Sequence, residues 1–177
     1  QKDPYSPVGL RHRWWIMQVY IMRHGDAAIQ AASDSARPLT QKGKDDSVLM
    51  AKWLKARQPQ IDTVLVSPYL RAEQTLQVMR EELSLPAQAQ IMEGLTPGGN
   101  ADWVASQIRD YAFSGAKAVL VVSHLPLVGY LVSELCPHEA PPMFTTSTIA
   151  CVEVDTEQMK CHLEWMLSPS QISLAQS

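Results

Sequence analysis

Three short, mostly apolar segments limit the fold of this chain more than any other feature of its sequence. They span residues 18–22, 61–66 and 117–123, and they are rich in β-branched residues, which favour strands. The segment 61–66 is apolar enough to be buried on both faces, as in a parallel sheet covered by helices. The last of the three is the strongest strand signal in the sequence.

Apolar residues recur at helical spacing between these strands and predict helices. Thr40 and Ser67 are the expected caps of two helices, and Pro68 is expected at the first helical position of the second. The later segments predict a further helix and, around a polar turn, a hairpin. The predicted elements are helices over residues 40–58, 67–83 and 100–113, an apolar helix ending near Cys136, and hairpin strands around 148–154 and 161–166.

This alternation predicts a three-layer α/β/α sandwich with a mostly parallel central sheet and no cap domain. A chain of 177 residues fits one domain, which we assign to residues 17–177. Residues 1–16 are rich in proline and basic residues, show no helical or strand periodicity and lack the apolar region of a secretory signal. They are expected to be a leader outside the fold.

Charge and composition exclude several classes of protein. A net charge of −3 and a pI of about 5.9 argue against a nucleic-acid binder with a broad basic face. No apolar stretch is long enough to cross a bilayer, so no membrane association is expected. The three cysteines have no metal-ligand spacing and are expected to be reduced thiols, which indicates a cytoplasmic protein.

Polar residues follow each predicted strand of the sheet centre. Arg23 and His24 follow the first strand, Arg71 lies in the first helical turn after the second, and His124 follows the third. Carboxyl ends of parallel strands meet at one edge of an open α/β sheet, so these four side chains are expected to share a pocket. Arginine binds phosphate oxygens through a planar fork of donors, and a neutral histidine is a nucleophile. The cluster therefore predicts phosphoryl transfer to histidine.

Each of these residues also has a simpler interpretation. His24 could be a solvated turn histidine, His124 a helix cap, and Arg71 a surface partner of Glu73 or Asp46. The convergence of all four on one edge of the sheet favours a shared site.

Three motifs resemble the signatures of the histidine phosphatase superfamily, and they occur in the family's order. These are Arg-His-Gly at 23–25, Ser-Pro-Tyr-Leu-Arg-Ala-Glu-Gln-Thr at 67–75 and Ser-His-Leu-Pro-Leu-Val at 123–128. The short length and two further segments narrow the resemblance to the small SixA-type phosphohistidine phosphatases of bacteria. These segments are Arg-Pro-Leu-Thr at 37–40, followed by Gly43, and Pro-Pro-Met-Phe-Thr-Thr at 141–146. The resemblance runs from Met17 to about Pro169.

The resemblance implies a two-step reaction. His24 would attack phosphorus in line and form a phosphohistidine, which water then hydrolyses. Arg23, Arg71 and His124 would hold the equatorial oxygens of the phosphoryl group, and Arg37 is a candidate for a further phosphate contact. The chain offers no cluster of metal ligands near these positions, so neither a metal nor another cofactor is expected.

Glu93 is the candidate proton donor. In many members of the superfamily a carboxylate protonates the leaving group of a phosphate ester, and Glu93 falls where that acid would be expected. The residues around Glu93 match the family only loosely, and the alternative is an exposed loop glutamate. Cleavage of a P–N bond depends less on a strong acid because the nitrogen leaving group takes up a proton directly.

The length of the chain indicates the class of substrate. Only about thirty residues separate Leu83 from the strand at Ala118, enough for a loop and one helix, so the pocket is expected to be open. An open pocket favours a phosphohistidine on a partner protein, such as a histidine-phosphotransfer domain or a phosphotransferase-system carrier, and the chain is expected to be a monomer. The alternatives are a phosphatase for small phosphate esters and a non-catalytic module that binds phosphoproteins.

Overall fold

The computed structural model describes residues 15–176, and the side chains up to residue 174. A six-stranded sheet forms its centre, with the strand order β3-β2-β4-β1-β5-β6. The strands are β1 (Ile16–Arg23), β2 (Thr63–Val66), β3 (Gln90–Ile91), β4 (Ala118–Ser123), β5 (Ile149–Asp155) and β6 (Lys160–Leu167).

Residues 15–176 also form five helices and two single 3-10 turns, and all of these except the last helix lie between strands. The helices are α1 (Gln41–Lys55), α2 (Leu70–Glu82), α3 (Ala101–Phe113), α4 (Leu127–Leu135) and α5 (Pro169–Gln176), and the turns are Asp34–Ala36 and Glu93–Leu95. Within residues 15–176, no helix has the length and apolar character that crossing a membrane requires.

The strand directions confirm the predicted sheet. β3, β2, β4 and β1 run parallel, whereas β5 pairs antiparallel with β1 and with β6. The antiparallel pair is the predicted hairpin, which extends the sheet beyond β1. The four parallel strands place their carboxyl ends at one edge, where the first, second and third predicted strands were expected to meet.

Alternate residues of β1 face two separate hydrophobic cores, as the side-chain period of a strand requires. Val19 and Ile21 pack with α3 and α4 on one face, and Tyr20 and Met22 pack with α1, α2 and α5 on the other. Val121 of β4 belongs to the first core and Val122 to the second. Helices therefore cover both faces of the sheet, and the predicted three-layer α/β/α sandwich is confirmed.

Several predicted element boundaries need correction. Ser67 does not cap a helix: α2 begins at Leu70 after Tyr69, without a side-chain cap, and the Ser67 hydroxyl has a different use described below. β3 and α5 were not predicted. β3 has only two residues, and α5 has a weakly amphipathic sequence, so neither carries a strong periodic signal.

The first strand begins at Ile16, two residues before the predicted segment 18–22. Ile16 pairs with Asp155, and the Trp15 carbonyl accepts hydrogen bonds from the N–H and the hydroxyl of Thr156, at 3.0 and 2.9 Å. Residues 15 and 16 therefore belong to the fold. The rest of the predicted leader, residues 1–14, lies outside the described residues.

Candidate active site

The structure brings all four predicted site residues together at the carboxyl edge of the sheet. Arg23 is the last residue of β1 and lies beside Ser123, the last residue of β4, whose carbonyl accepts the His24 N–H at 3.0 Å. The rings of His24 and His124 have their centroids 5.0 Å apart. Arg71 reaches the same place from the first turn of α2, with its Nε 3.3 Å from His24 Nε2.

The hydrogen bonds of His24 define its tautomer. Its Nδ1 lies 2.7 Å from the carbonyl oxygen of Gly25, which can only accept, so Nδ1 carries the proton. Nε2 then holds the lone pair of the ring, and Arg71 Nε–H donates a hydrogen bond to this atom at 3.3 Å. Burial lowers the pKa of His24 to about 4, and the charges of Arg71 and Arg23 act in the same direction. The ring is therefore neutral at pH 7, with Nε2 available as a nucleophile.

Two groups orient the guanidinium of Arg71, which is only 4% exposed. Its Nε–H points at His24, whereas Nη1 and Nη2 donate to the carbonyl and to Oδ2 of Asp34, at 2.6 and 3.3 Å. Asp34 lies in the turn Asp34–Ala36, so this turn binds the Nη1 and Nη2 atoms of Arg71. The Nε–H of the guanidinium remains directed at His24.

Ser67 fixes the second histidine. His124 is 1% exposed, and its Nε2 lies 2.7 Å from the Ser67 hydroxyl, which accepts the Tyr69 N–H at 3.1 Å. The serine can therefore donate its hydroxyl proton to Nε2, which leaves the proton of the neutral ring on Nδ1. Burial, then the neighbouring His24 and Arg71, lower the pKa of His124 to about 3.

Two buried nitrogen atoms in this cluster have no hydrogen-bond partner. Among the described residues, Arg23 Nε and His124 Nδ1 are the buried side-chain atoms left unpaired. Arg23 is held at its other end, where Nη1 donates to the Phe144 carbonyl at 2.9 Å. Buried donors are rarely left unsatisfied, so a pair beside one nucleophile is chemically suited to an anion.

A network of small residues holds the loop that carries His24. The Gly25 N–H donates to Thr75 Oγ1 at 2.9 Å, and this hydroxyl donates to the Arg71 carbonyl at 2.8 Å. Hydrogen bonds therefore tie the loop that carries His24 to α2, the helix that carries Arg71. On the opposite side of the loop, the buried hydroxyls of Ser47 and Ser147 lie 3.1 Å apart.

The two remaining candidates from the sequence, Arg37 and Glu93, differ in their contacts with this cluster. Arg37 belongs to it indirectly: its Nη1 donates to Asp34 Oδ1 at 3.1 Å, its Nε donates to the Ala28 carbonyl at 2.6 Å, and its charge contributes to the lowered pKa of His24. Glu93 is exposed in the turn Glu93–Leu95, and its recorded contacts are those of its carbonyl with Thr96. No hydrogen bond or ion pair joins Glu93 to the four central residues.

Sequence reasoning missed Asp34 and assigned Ser67 to a helix cap. The stretch from residue 26 to residue 38 has no periodicity, so Asp34 had no signal beyond its charge. Ser67 carries the same pattern, serine before proline, whether it caps a helix or binds a histidine. Its contact with His124 depends on the alignment of β2 with β4, which the local sequence does not reveal.

One group of described residues has the geometry of a metal site, and it lies elsewhere. Ligand atoms of Glu153, His162 and Glu164 all lie within 4.8 Å of one another on the β5–β6 hairpin. His162 Nε2 is 2.7 Å from Glu164 Oε1, so this imidazole already has a carboxylate as its hydrogen-bond partner. Glu153 pairs with Gln18, near the amino end of β1, at the other end of that strand from Arg23.

Comparison with known proteins gives concordant results. The family model of the histidine phosphatase superfamily (branch 1) matches residues 19–104. The phosphohistidine phosphatase SixA of Escherichia coli (strain K12) is 53% identical over 161 residues, which cover 91% of this chain and 99% of that protein. A SixA homolog of Haemophilus influenzae is 41% identical over 141 residues, covering 76% and 86% of the two chains.

A solved structure agrees with this match. The protein histidine phosphatase SixA complexed with tungstate superposes with a TM-score of 0.86 and 54% identity, over 88% of this chain and 99% of that one. The chain therefore belongs to the histidine phosphatase superfamily, and within it to the SixA-type phosphohistidine phosphatases.

Proposed function

We propose that the chain removes the phosphoryl group from a phosphorylated histidine of a partner protein, with His24 as the nucleophile. One observation carries this proposal: the neutral, buried His24 presents an unprotonated Nε2 among two arginines and two buried nitrogens that have no partner. The solved SixA relative binds tungstate, a tetrahedral oxyanion of phosphate-like shape, which supports an oxyanion site here.

In the first step, His24 Nε2 attacks phosphorus and the P–N bond of the substrate breaks. A substrate phosphohistidine that is protonated on its other ring nitrogen leaves as neutral imidazole, so no acid on the enzyme has to supply a proton. The new P–N bond forms at His24 Nε2 while Nδ1–H stays hydrogen-bonded to the Gly25 carbonyl. The intermediate is therefore a phosphohistidine that already carries the proton its own departure requires.

In the second step, water attacks this phosphohistidine and the bond between phosphorus and Nε2 breaks. His24 leaves as the neutral ring with which the cycle began, and phosphate is released. Arg23, Arg71 and His124 hold the oxygens during both steps, as charge redistributes over the phosphoryl group. The unpaired Arg23 Nε and His124 Nδ1 each gain an acceptor in this arrangement.

The surroundings of the site support a nitrogen leaving group. The Asp34 carboxylate binds two arginines, which together hold its pKa below the usual range, so it is ionised and unsuited to donate a proton. Glu93 is exposed, and we keep its role as a proton donor as the alternative that the experiment below tests. A phosphate ester would need such a donor more than a phosphohistidine does.

The open site supports a protein substrate. Between Glu82, the end of α2, and Ala118, the start of β4, the chain forms only β3, the turn Glu93–Leu95 and α3, so no cap domain covers the pocket. A histidine-phosphotransfer domain or a phosphotransferase-system carrier is the partner we infer, with the enzyme acting as a monomer in the cytoplasm.

Phosphate release from a purified phosphotransfer domain phosphorylated on histidine tests the proposal. Wild type and His24→Ala are compared, with a small phosphate ester as the second substrate and Glu93→Gln as the matched variant outside the cluster. We expect fast release by wild type, none by His24→Ala, little ester turnover, and no effect of Glu93→Gln on the phosphoprotein.

Other results would redirect the assignment. Ester turnover that Glu93→Gln abolishes, with an untouched phosphoprotein, would identify a small-molecule phosphatase. Binding of the phosphoprotein without phosphate release, and without a phosphorylated His24, would identify a non-catalytic binding module.

A further inference from the structure

A second concave region lies beside the catalytic cluster. It has a volume of about 470 Å³ and runs between the loop before β5, the end of β6 and the start of α5. Its lining, which we call the Met143 groove, consists of Met143, Thr145, Thr148, Met166, Ser168 and Gln171.

Short hydrogen bonds connect this groove to Arg23. The Thr148 carbonyl accepts the Arg23 backbone N–H at 3.0 Å, and the Phe144 carbonyl, next to Met143, accepts Arg23 Nη1 at 2.9 Å. The hydroxyls of Thr145 and Thr148 lie 2.7 Å apart. The segment that lines one side of the groove therefore also holds a phosphate-binding candidate in place.

The chemistry of the groove contrasts with that of the pocket next to it. No lining residue is ionisable: four carry hydroxyl or amide groups, and two are methionines, whose flexible thioether side chains adapt to partners of varied shape. Met143 is 76% exposed although it is large and apolar. The adjacent cluster contains Arg23 and Arg71. A ligand that fills both regions carries its negative charge at one end and uncharged groups at the other.

We propose that the Met143 groove binds the uncharged side chains that flank the phosphohistidine on the partner protein. This inference rests on the proposed function. His24 is only 6% exposed, so a phosphohistidine must enter a recessed pocket, and the residues beside it on the partner then lie against the rim. A neutral groove next to a cationic pocket matches a protein surface that displays a phosphohistidine among uncharged residues. The groove thus selects the protein that carries the phosphoryl group, and the pocket selects the group itself.

The substitution Met143→Ser tests the groove without touching the pocket. Because Met143 is exposed, the variant keeps the fold, and Met143→Leu restores an apolar side chain at the same position. Met159→Ser is the matched control: Met159 is 71% exposed in the β5–β6 turn, which adjoins the amino end of β1. Activity is measured on a phosphotransfer domain phosphorylated on histidine, and tungstate inhibition in the same assay reports on the pocket.

We expect Met143→Ser to lower kcat/KM for the phosphoprotein about tenfold, mainly through KM, because most of one apolar side chain leaves the interface. The Ki of tungstate should stay within about twofold of wild type. Met143→Leu and Met159→Ser should retain wild-type activity.

Three results would overturn the proposal. The first is an unchanged kcat/KM for Met143→Ser, and the second is a Ki of tungstate that rises with KM, which would mean that Met143 acts through the pocket. The third is a wild-type dimer that Met143→Ser converts to monomer, which would make the groove a contact between two copies of this chain. If wild type released no phosphate from the phosphoprotein, the proposed function would fail together with the groove. If wild type were active and Met143→Ser were unaffected, only the proposed role of the groove would be refuted.

Discussion

At the scale of single residues, the site depends on two neutral histidines with defined proton positions. The Gly25 carbonyl holds the proton of His24 on Nδ1, and Ser67 can supply a proton to His124 Nε2. Burial contributes most to the low pKa of both rings. A protonated His24 would have no lone pair on Nε2, so the lowered pKa keeps Nε2 available for the proposed attack on phosphorus over a wide pH range.

We expect the ring of His24 to titrate at a pKa of about 4 rather than 6.5. NMR titration of the histidine ring signals, assigned with His24→Asn, measures this value. The folded state takes up this proton only near pH 4, whereas the unfolded chain does so near 6.5. Stability should therefore fall as the pH decreases through that interval, and less steeply in His24→Asn. A midpoint near 6.5 for His24 would contradict a buried ring that is neutral at pH 7.

Asp34 should act as a positioning residue for Arg71. Removing its carboxylate with Asp34→Ala frees Arg71 Nη2, so the guanidinium loses part of the support that directs Nε at His24. We expect kcat/KM for phosphate release to fall about fivefold, and Asp34→Asn to recover part of it. Asp46→Ala is the control, since Asp46 also forms an ion pair, with Lys42 on α1. Equal activity of the Asp34→Ala and Asp46→Ala variants would refute the positioning role.

At the scale of elements, α1 packs against the loop that carries His24, and a glycine on the helix makes this close contact possible. Thr40 caps this helix as predicted, since its Oγ1 accepts the Gly43 N–H at 3.0 Å. A Cβ on Gly43 would overlap the Asp26 carbonyl oxygen, and a Cβ on Gly25 would lie 2.8 Å from the Gly43 carbonyl oxygen. The absence of side chains at both positions lets the loop that carries His24 lie directly on the helix.

Gly43→Ala should therefore destabilise the protein although alanine is the better helix former. We expect a loss of about 2 kcal/mol, because overpacking outweighs the propensity gain, and a Tm lower by about 4–8 °C. Gly98→Ala is the control, since a Cβ there has open space around it. Thermal melts of the two variants measure the difference. A Tm for Gly43→Ala at or above wild type would show that the loop can move away from α1 at little cost.

At the scale of the whole molecule, β1 connects the parallel half of the sheet to the antiparallel hairpin. It pairs with β4 on one side and with β5 on the other, and it contributes residues to both cores. Its carboxyl end carries Arg23 and leads into His24. The amino end of β1 is anchored by Trp15 and Ile16, which bind the end of the hairpin.

Two truncations test where the fold begins. Deleting residues 1–14 should leave the Tm within about 1 °C of the full chain, as the predicted leader implies. Deleting residues 1–16 should lower the Tm by several degrees, because the hydrogen bonds from Thr156 to Trp15 and the pairing of Ile16 with Asp155 are lost. A large drop in the shorter truncation would place part of residues 1–14 in the fold.

Much of the architecture was predictable because it follows from local periodicity. The apolar strands, the helices over 40–58 and 100–113 and the terminal hairpin each carry a signal within a few residues of sequence. The meeting of Arg23, His24, Arg71 and His124 follows from one general rule on parallel strands. Their catalytic roles remain predictions. β3 and the start of α2 escaped prediction because two residues make no pattern and serine before proline has more than one use.

The sequence alone was sufficient to predict the three layers, the parallel centre of the sheet and the family. Motif order and strand periodicity are properties of the chain before it folds. The state of the site depends on contacts between distant residues. Asp34 reaches Arg71 across 37 positions, and Ser67 reaches His124 across 57. These contacts, with the burial they create, establish which nitrogen carries a proton and which donors remain unpaired. Burial and hydrogen-bond partners exist only after the sheet has brought its strand ends together, so the chemistry of His24 can be read only from the folded chain.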